Sequence, residues 1–499
     1  MRLVLKKIFC YTFVSITYGA AIFGTPPQAK GMAESDESAR NPQLAATGKT
    51  QNAEWPIKNL SFETFIQLVN NHYPKLLSAD AERQIAGAKR LEKSGAFDPV
   101  LTSVNEYLRV QDIINPGKAK DAVHNESRVE LLTRSGIKVF TGLRLNPNDT
   151  KTPFLPTGRS GEYYAGMTMP LLRGLKINEK TALEQQAKLG EPIAAQIFGL
   201  TRLEVLLKAA ATYWDWVGSK ARIDVAKSIL SLSQMRVEQV KGRVQKGDSP
   251  AIEIAESEQE IQRRQALLIK TEREYQKASF ALSVFLWDEA GSPKNLPTLQ
   301  DVPVLTPLPT LMTNSEWSEG RRLALERRPE LKRIGLEREQ AKVDLRLAQN
   351  QILPAVDAYL TQGADTGKQG IGFVMRGGVA VSMPLRQRTA RGLMQAAQLK
   401  MQKLNFDEKT EKFRIQTEVD DTVSAINTSW ERYVATSSEV QKAQEVEAGE
   451  RLRFAAGDST VFLVNQRERT TAEAKIRLLE IHVEYLQALA AFKAVSCQL

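Results

Sequence analysis

Cysteine and histidine are nearly missing from this sequence. Two cysteines in 499 residues exclude a disulfide-stapled scaffold and a multi-cysteine zinc site. The three histidines, His72, His124 and His482, stand too far apart for metal-ligand spacing. A mean hydropathy of −0.32 excludes a bundle of membrane-spanning helices. Catalytic signatures are absent as well: there is no Gly-x-Ser-x-Gly elbow, no P-loop, no His-Glu-x-x-His and no Gly-x-Gly-x-x-Gly. No enzymatic activity, cofactor or metal is therefore expected. Charge is plentiful. Lys and Arg number 68 against 58 Asp and Glu, a net +10 with a pI near 9.3. Acids and bases are interspersed along most of the chain, which reads as a solvated surface and not as a nucleic-acid footprint.

Arg2, Lys6 and Lys7 precede an uncharged apolar run from Ile8 to Phe23. Its 16 residues fall short of the roughly 20 that cross a bilayer and match the core of a secretory signal. Residues 1–24 are expected to be a signal peptide, with a retained N-terminal anchor as the alternative. Cleavage fits near Ala21 or Gly24, or after Ala33, and Cys10 lies inside the run, where a lipid anchor does not fit. Residues 25–55 are rich in Ala, Ser, Pro, Gly and charge without periodicity, and are expected to be a disordered lead.

Internal duplication is the strongest signal. At an offset of 255, Pro74 meets Pro329, Leu76 meets Leu331, Glu82-Arg83 meet Glu337-Arg338, Ala86 meets Ala341 and Pro99 meets Pro354. The offset then drifts to 214 and 210: Met169-Pro170-Leu171 matches Met383-Pro384-Leu385, Trp216 falls opposite Trp430, and Gly247-Asp248-Ser249 opposite Gly457-Asp458-Ser459. The expected plan is a first repeat over 56–290 (a helix, strands within 97–171, a helical hairpin over 175–290), a Pro-rich linker over 291–314, and a second repeat over 315–499 (a helix, strands within 352–384, a helical hairpin over 388–495).

Period-two alternation marks the strands. Val129, Leu131, Val139 and Leu143 alternate with Arg128, Glu130, Lys138 and Arg144 in one run from Arg128 to Leu145, and the pattern returns in Tyr163–Leu171 and Ile371–Met383. A polar face opposite an apolar one suits a wet lumen opposite lipid, and suits a soluble sheet equally. The helices carry heptad-like seams: Leu200, Leu203, Leu207, Ala210, Trp214, Val217, Ala221 in the first half, and Val419, Val423, Ile426, Trp430, Tyr433, Ser437, Val440 in the second. A helix from about Thr389 to Ala456 would run roughly 100 Å. Gly190 and Pro192 are expected to kink or interrupt its first-half counterpart. The tryptophans read as coiled-coil core and receive no function.

Strand segments joined to long coiled-coil hairpins, twice over, behind a signal peptide, resemble the TolC family of outer-membrane efflux proteins. The resemblance covers roughly residues 60–495. It rests on Phe97-Asp98-Pro99 before the first strand, Met169-Pro170-Leu171-Leu172-Arg173-Gly174 closing the first strand region, and the hairpin segment Gly457–Glu468. It implies a mixed α/β membrane protein: a homotrimer in which each protomer gives four strands to a twelve-stranded barrel in outer-membrane lipid, continued by a helical tunnel across the periplasm. The implied partners are a periplasmic adaptor and an inner-membrane pump, and the implied role is a passive conduit for small molecules. Type I protein secretion and a non-channel exported coiled-coil scaffold are the alternatives. Some 70 residues separate Pro99 from Pro170, a departure from short strand pairs, so Arg128–Leu145 is expected to form an extended hairpin above the membrane, with a longer barrel strand as the alternative.

The resemblance also implies that Gly247-Asp248 and Gly457-Asp458 are hairpin tips facing the adaptor. The family's apolar residue after the glycine is replaced by Asp248 and Asp458, which either present charge or cap the returning helices. The family's second-half acids, six and nine residues beyond the glycine, are Leu463 and Gln466 here. The matching first-half positions are Glu253 and Glu256, a candidate periplasmic gate, with an exposed helix face near Arg263 and Arg264 as the bland reading.

Overall fold

Segments with period two and segments with period 3.6 separate into two compact units: Ala96–Asn178 with Leu353–Arg386, and residues 60–95 with Glu179–Ile352 and 387–498. The computed structural model describes residues 60–111, 117, 119–146, 157–295, 299, 302–367 and 370–498. The signal-peptide and disordered-lead expectations, residues 1–24 and 25–55, lie outside the described residues.

The first unit is a single antiparallel sheet. Its strands are β1 (Val100–Gln111), β2 (Ala119–Leu132), β3 (Lys138–Leu145), β4 (Glu162–Pro170), β5 (Ala355–Gly367) and β6 (Gly370–Ser382), and each pairs with the next in chain order. Two expectations are corrected here. The chain supplies six strands to the sheet, not four. The alternating run read over Arg128–Leu145 is also not one strand. It turns back at Thr133–Ile137, where Gly136 takes φ +81° and the Thr133 N–H donates to the Ile137 carbonyl at 2.8 Å. A three-residue loop closed by a left-handed glycine keeps both flanking strands in phase, so the alternation continues through the turn and hides it. The β2–β3 hairpin lies between β1 and β4, hydrogen-bonded on both sides, and is not an extension beyond the sheet.

The second unit is helical: α1 (Phe62–His72), α2 (Pro74–Ser94), α3 (Glu179–Gln245), α4 (Ile252–Ser283), α5 (Asn314–Arg327), α6 (Pro329–Ile352), α7 (Arg388–Ala456) and α8 (Val461–Val495). Local chemistry sets the starts. Ser61 Oγ caps α1 by accepting from the Thr64 N–H, and Thr313 and Glu316 form a reciprocal capping box at α5. Pro74 and Pro329 occupy first turns, where no N–H is required. The expected interruption at Gly190 and Pro192 does not occur, because α3 runs unbroken for 67 residues with Pro192 inside it. A helix-interior proline costs about 3 kcal/mol, which packing of α3 against α2, α4, α6 and α8 offsets.

The helical core gathers around Phe65, Leu206, Tyr213 and Trp216, all at most 1% exposed. Trp214 stacks on Phe62 at 5.1 Å, and the Tyr213 hydroxyl donates to the Leu60 carbonyl at 2.8 Å. The read seam is offset on α3: Ala210, Trp214 and Val217 are buried, while Leu200, Leu203, Leu207 and Ala221 are half-buried. A helix packed on several sides has no single seam. In the second half Val419, Val423, Ile426 and Val440 are buried and Ser437 is exposed.

Within the segment expected as a linker, Val302 and Leu305 enter this core, and His482 Nε2 donates to the Pro307 carbonyl at 2.7 Å. Burial holds the His482 imidazole below its ordinary 6.5, only partly countered by that hydrogen bond. The folded value is depressed, so its contribution to stability is complete above pH 6.5 and is lost as pH falls through the folded value. Thermal melts should show the wild type losing stability as pH falls below 6.5, with a shallower decline for His482→Phe. Parallel pH profiles would exclude His482 as the source.

Candidate functional site

Register assigns every strand residue of the sheet to a face, since directly opposed residues share one. On one face lie Val129 and Leu131, Val139 and Leu143, Tyr163 and Met167, Leu360, then Phe373, Met375, Val379 and Val381. Most of these are exposed, Phe373 by 67% and Val381 by 69%. The other face carries Glu126, Arg128, Glu130, Lys138, Arg144, Glu162, Asp357, Asp365 and Arg376. There Arg144 is paired with Glu162, the Tyr164 hydroxyl donates to Glu126, and Arg128 sits 3.2 Å from Glu130. Gly142, Gly166 and Gly378 stand opposite Tyr164, Phe140 and Tyr359, leaving room for these rings to lie on the backbone. The β1–β2 pair departs from this pattern: Ser103, Asn105, Arg109, Asp121, Asn125 and Ser127 lie on the apolar face, and the exposed Val100 and Val104 lie on the charged one. Asp121, Tyr107 and Arg109 cluster at the far end of the β1–β2 hairpin.

An exposed apolar face of this extent is unstable in water, whereas backbone paired within a sheet and lined with apolar side chains is what lipid tolerates. No described helix is long and apolar enough to cross a membrane. β1 and β6 pair on one side only among the described residues, so the single chain leaves two open edges.

In the helical unit, α3–α4 and α7–α8 are antiparallel pairs joined by turns of the same geometry. Gly247 has φ +83° and Gly457 φ +89°. Asp248 N–H donates to the Arg243 carbonyl at 2.9 Å and Asp458 N–H to that of Arg453 at 2.8 Å. Each is a Schellman stop, which the positive φ of glycine permits. A buried apolar patch of Val240, Phe454, Val461 and Val464 joins the two pairs near these ends, with the Arg243 guanidinium 4.6 Å from the Phe454 ring centroid.

Next to that patch is a buried ionic hub. The Glu468 carboxylate of α8 is 1% exposed and pairs with Arg236 of α3, Arg264 of α4 at 2.9 Å and Arg451 of α7 at 3.0 Å. Glu260 extends it, accepting from Arg264 at 3.0 Å and from Arg469 at 3.1 Å. One carboxylate thus ties all four long helices. Burial pulls the Arg236 guanidinium below its usual value despite the neighbouring Glu468.

No family model matches the chain, and no curated protein matches it. Solved structures do. A membrane protein from Pseudomonas aeruginosa superposes with a TM-score of 0.64 at 13% identity, covering 88% of this chain and 94% of that one. The open-state outer membrane channel MtrE of Neisseria gonorrhoeae gives 0.63 at 14% identity, covering 87% and 88%. The outer membrane protein VceC of Vibrio cholerae gives 0.62 at 15% identity, covering 87% and 95%. The chain has the fold of the TolC-family channels.

Within the TolC fold, the residues singled out in the sequence fall as follows. Gly247, Asp248, Gly457 and Asp458 occupy the two turns, and all four are exposed. The capping reading of the aspartates is corrected: Thr460 caps α8 by accepting from the Leu463 N–H, and the α4 start at Ala251 has no side-chain cap. Both aspartates are left exposed, because the Schellman stop already uses their N–H groups and leaves three residues between Asp248 and α4 and two between Asp458 and α8. Glu253 and Glu256 lie three apart at the start of α4, half-buried. One oxygen of Glu253 is screened from solvent with no hydrogen-bond partner among the described residues. Of the two arginines named beside these glutamates, Arg263 is exposed and Arg264 is buried in the hub.

Sequence reasoning missed the hub. Its signal was present in the spacing. The buried positions of α4, namely Ser257, Glu260, Arg264, Leu268, Thr271, Tyr275, Ser279 and Leu282, step by three and four, so Glu260 and Arg264 fall within the seam.

Proposed function

We propose that this chain is the outer-membrane channel of a tripartite export system, carrying small molecules passively across the periplasm and outer membrane. Three copies would close their sheets edge to edge into a barrel, apolar face to lipid and charged face to water. Their long helices would form the wall of a periplasmic tunnel. The observation that carries this reading is the segregation of faces from the second half of β2 through β6, charge on one side and exposed apolar residues on the other. A coiled-coil scaffold has no need of it. A sheet with two open edges must find partners before it enters lipid, because no unpaired backbone survives there.

In this reading the exposed turns at Gly247-Asp248 and Gly457-Asp458 meet a periplasmic adaptor coupled to an inner-membrane pump, and they do so with carboxylates. Glu253 and Glu256 from three copies place six carboxylates at the tunnel mouth, a cation-attracting gate. The unpartnered Glu253 oxygen fits a group that is completed by a neighbouring copy.

Fractionation tests the assignment: a heat-resistant trimer in the outer membrane supports it, and recovery in the soluble fraction sinks it. Single-channel recording in a planar bilayer tests the gate. Cation-selective current should weaken in Glu253→Gln/Glu256→Gln, and current with unchanged selectivity discards the gate while keeping the pore.

A further inference from the structure

The β2–β3 hairpin is the part of the sheet that the four-strand plan does not contain. Were it a projection, β1 would lie beside β4. Instead two strands separate them, placing β1 and β4 about 14 Å apart at the usual strand spacing. β2 pairs with β1 from Ala119 to Glu130 and with β3 from Asn125 to Leu132, and β3 pairs with β4 from Lys138 to Arg144. The hairpin also repeats the chemistry of its neighbours. Val129, Leu131 and Val139 are exposed and continue the apolar face of Met167 and Leu360. Arg128, Glu130 and Arg144 continue the charged face and tie into β4 through the Arg144–Glu162 pair. A hairpin standing in water has no reason to be apolar and exposed on one side only.

Strand parity points the same way. With six strands in a meander, β1 and β6 run in opposite directions. The β6 edge of one copy therefore meets the β1 edge of the next in the antiparallel sense that such barrels use throughout. We infer that the β2–β3 hairpin is a wall element of the barrel, which three copies of six strands close at eighteen strands. This inference rests on the channel reading above. Barrel diameter rises roughly linearly with strand number, so the lumen is about one and a half times as wide as that of a twelve-stranded barrel. The hairpin also brings the densest charge to that lumen, with Glu126, Arg128, Glu130, Lys138 and Arg144 all on the water-facing side.

Two measurements on the full-length protein test this. The first is electron cryomicroscopy of the purified oligomer, counting strands in cross-section. Eighteen strands with β2 and β3 in the wall are expected. Twelve strands with the hairpin outside overturn the inference and leave the channel standing, while a soluble protein without a barrel overturns both. The second reads four consecutive positions of β2 as single cysteines in a Cys497→Ser background, labelled in intact outer membranes with a water-soluble maleimide. Arg128→Cys and Glu130→Cys should label through the lumen. Val129→Cys and Leu131→Cys, facing lipid, should label at least tenfold less. Equal labelling of all four places the hairpin in water and overturns the inference.

Discussion

Leu360→Arg is expected to destabilise the membrane-inserted protein by about 2–4 kcal/mol, the range for an arginine placed at the lipid midplane of a barrel. Leu360 lies at the middle of β5, opposite Met167 on one side and Gly377 on the other. It is 47% exposed in the single chain. That exposure gives the experiment its discriminating power. On a soluble sheet, a charged substitution at so exposed a site changes stability by no more than about 0.5 kcal/mol, because the guanidinium simply enters water. In lipid it must be desolvated or must drag water inward. The neighbouring Thr361→Glu is the control. It adds a charge one residue along, on the opposite face, directly across from Arg376, where an opposite-charge pair contributes roughly 0.2–1 kcal/mol. Outer-membrane yield and denaturant unfolding in lipid or detergent should both fall for Leu360→Arg and hold for Thr361→Glu. If the two variants behave alike, the apolar face does not meet lipid.

Much of this fold was legible because its two periods are so different. The strand segments 97–171 and 352–384, the 69-residue helix α7 and the glycine turns at 247 and 457 all followed from patterns a few residues long. The errors share a physical cause: each depended on what lies across from a residue, which one strand or helix does not reveal. The turn at Thr133–Ile137 left the alternation in phase, so strand number was undercounted. Pro192 breaks an isolated helix but not one held along its length by other helices. Asp248 and Asp458 had the right chemistry for helix caps, yet the Schellman stop placed them too early, and Thr460 took that position on α8. Arg264 and Glu468 looked like surface charge because arginine and glutamate usually are. Only the packing of four helices shows that both point inward.

Glu468→Ala should be the most damaging single substitution in the helical unit. It removes the one carboxylate shared by Arg236 and Arg264, whose side chains are 8% and 3% exposed. Breaking a buried ion pair from one side costs about 3–5 kcal/mol, because the surviving charge stays buried without compensation. Arg451 contributes little to the loss, since its side chain is 36% exposed and water replaces its partner. Arg236→Met should be milder, for Glu468 keeps Arg264. The double variant Arg236→Met/Glu468→Leu should recover much of the single-variant loss, because Arg264 still pairs with Glu260 at 3.0 Å and the other two positions become ordinary seam residues. That ordering, with Glu468→Ala worse than the double variant, is the signature of a desolvated charge and not of lost packing. Thermal unfolding at low and high salt measures it: a buried hub keeps the ordering as ionic strength rises, whereas exposed pairs would be screened. If Glu468→Ala melts within a degree or so of wild type, the hub adds nothing to the apolar packing that already joins the four helices through Tyr213, Leu268, Ile415 and Val483.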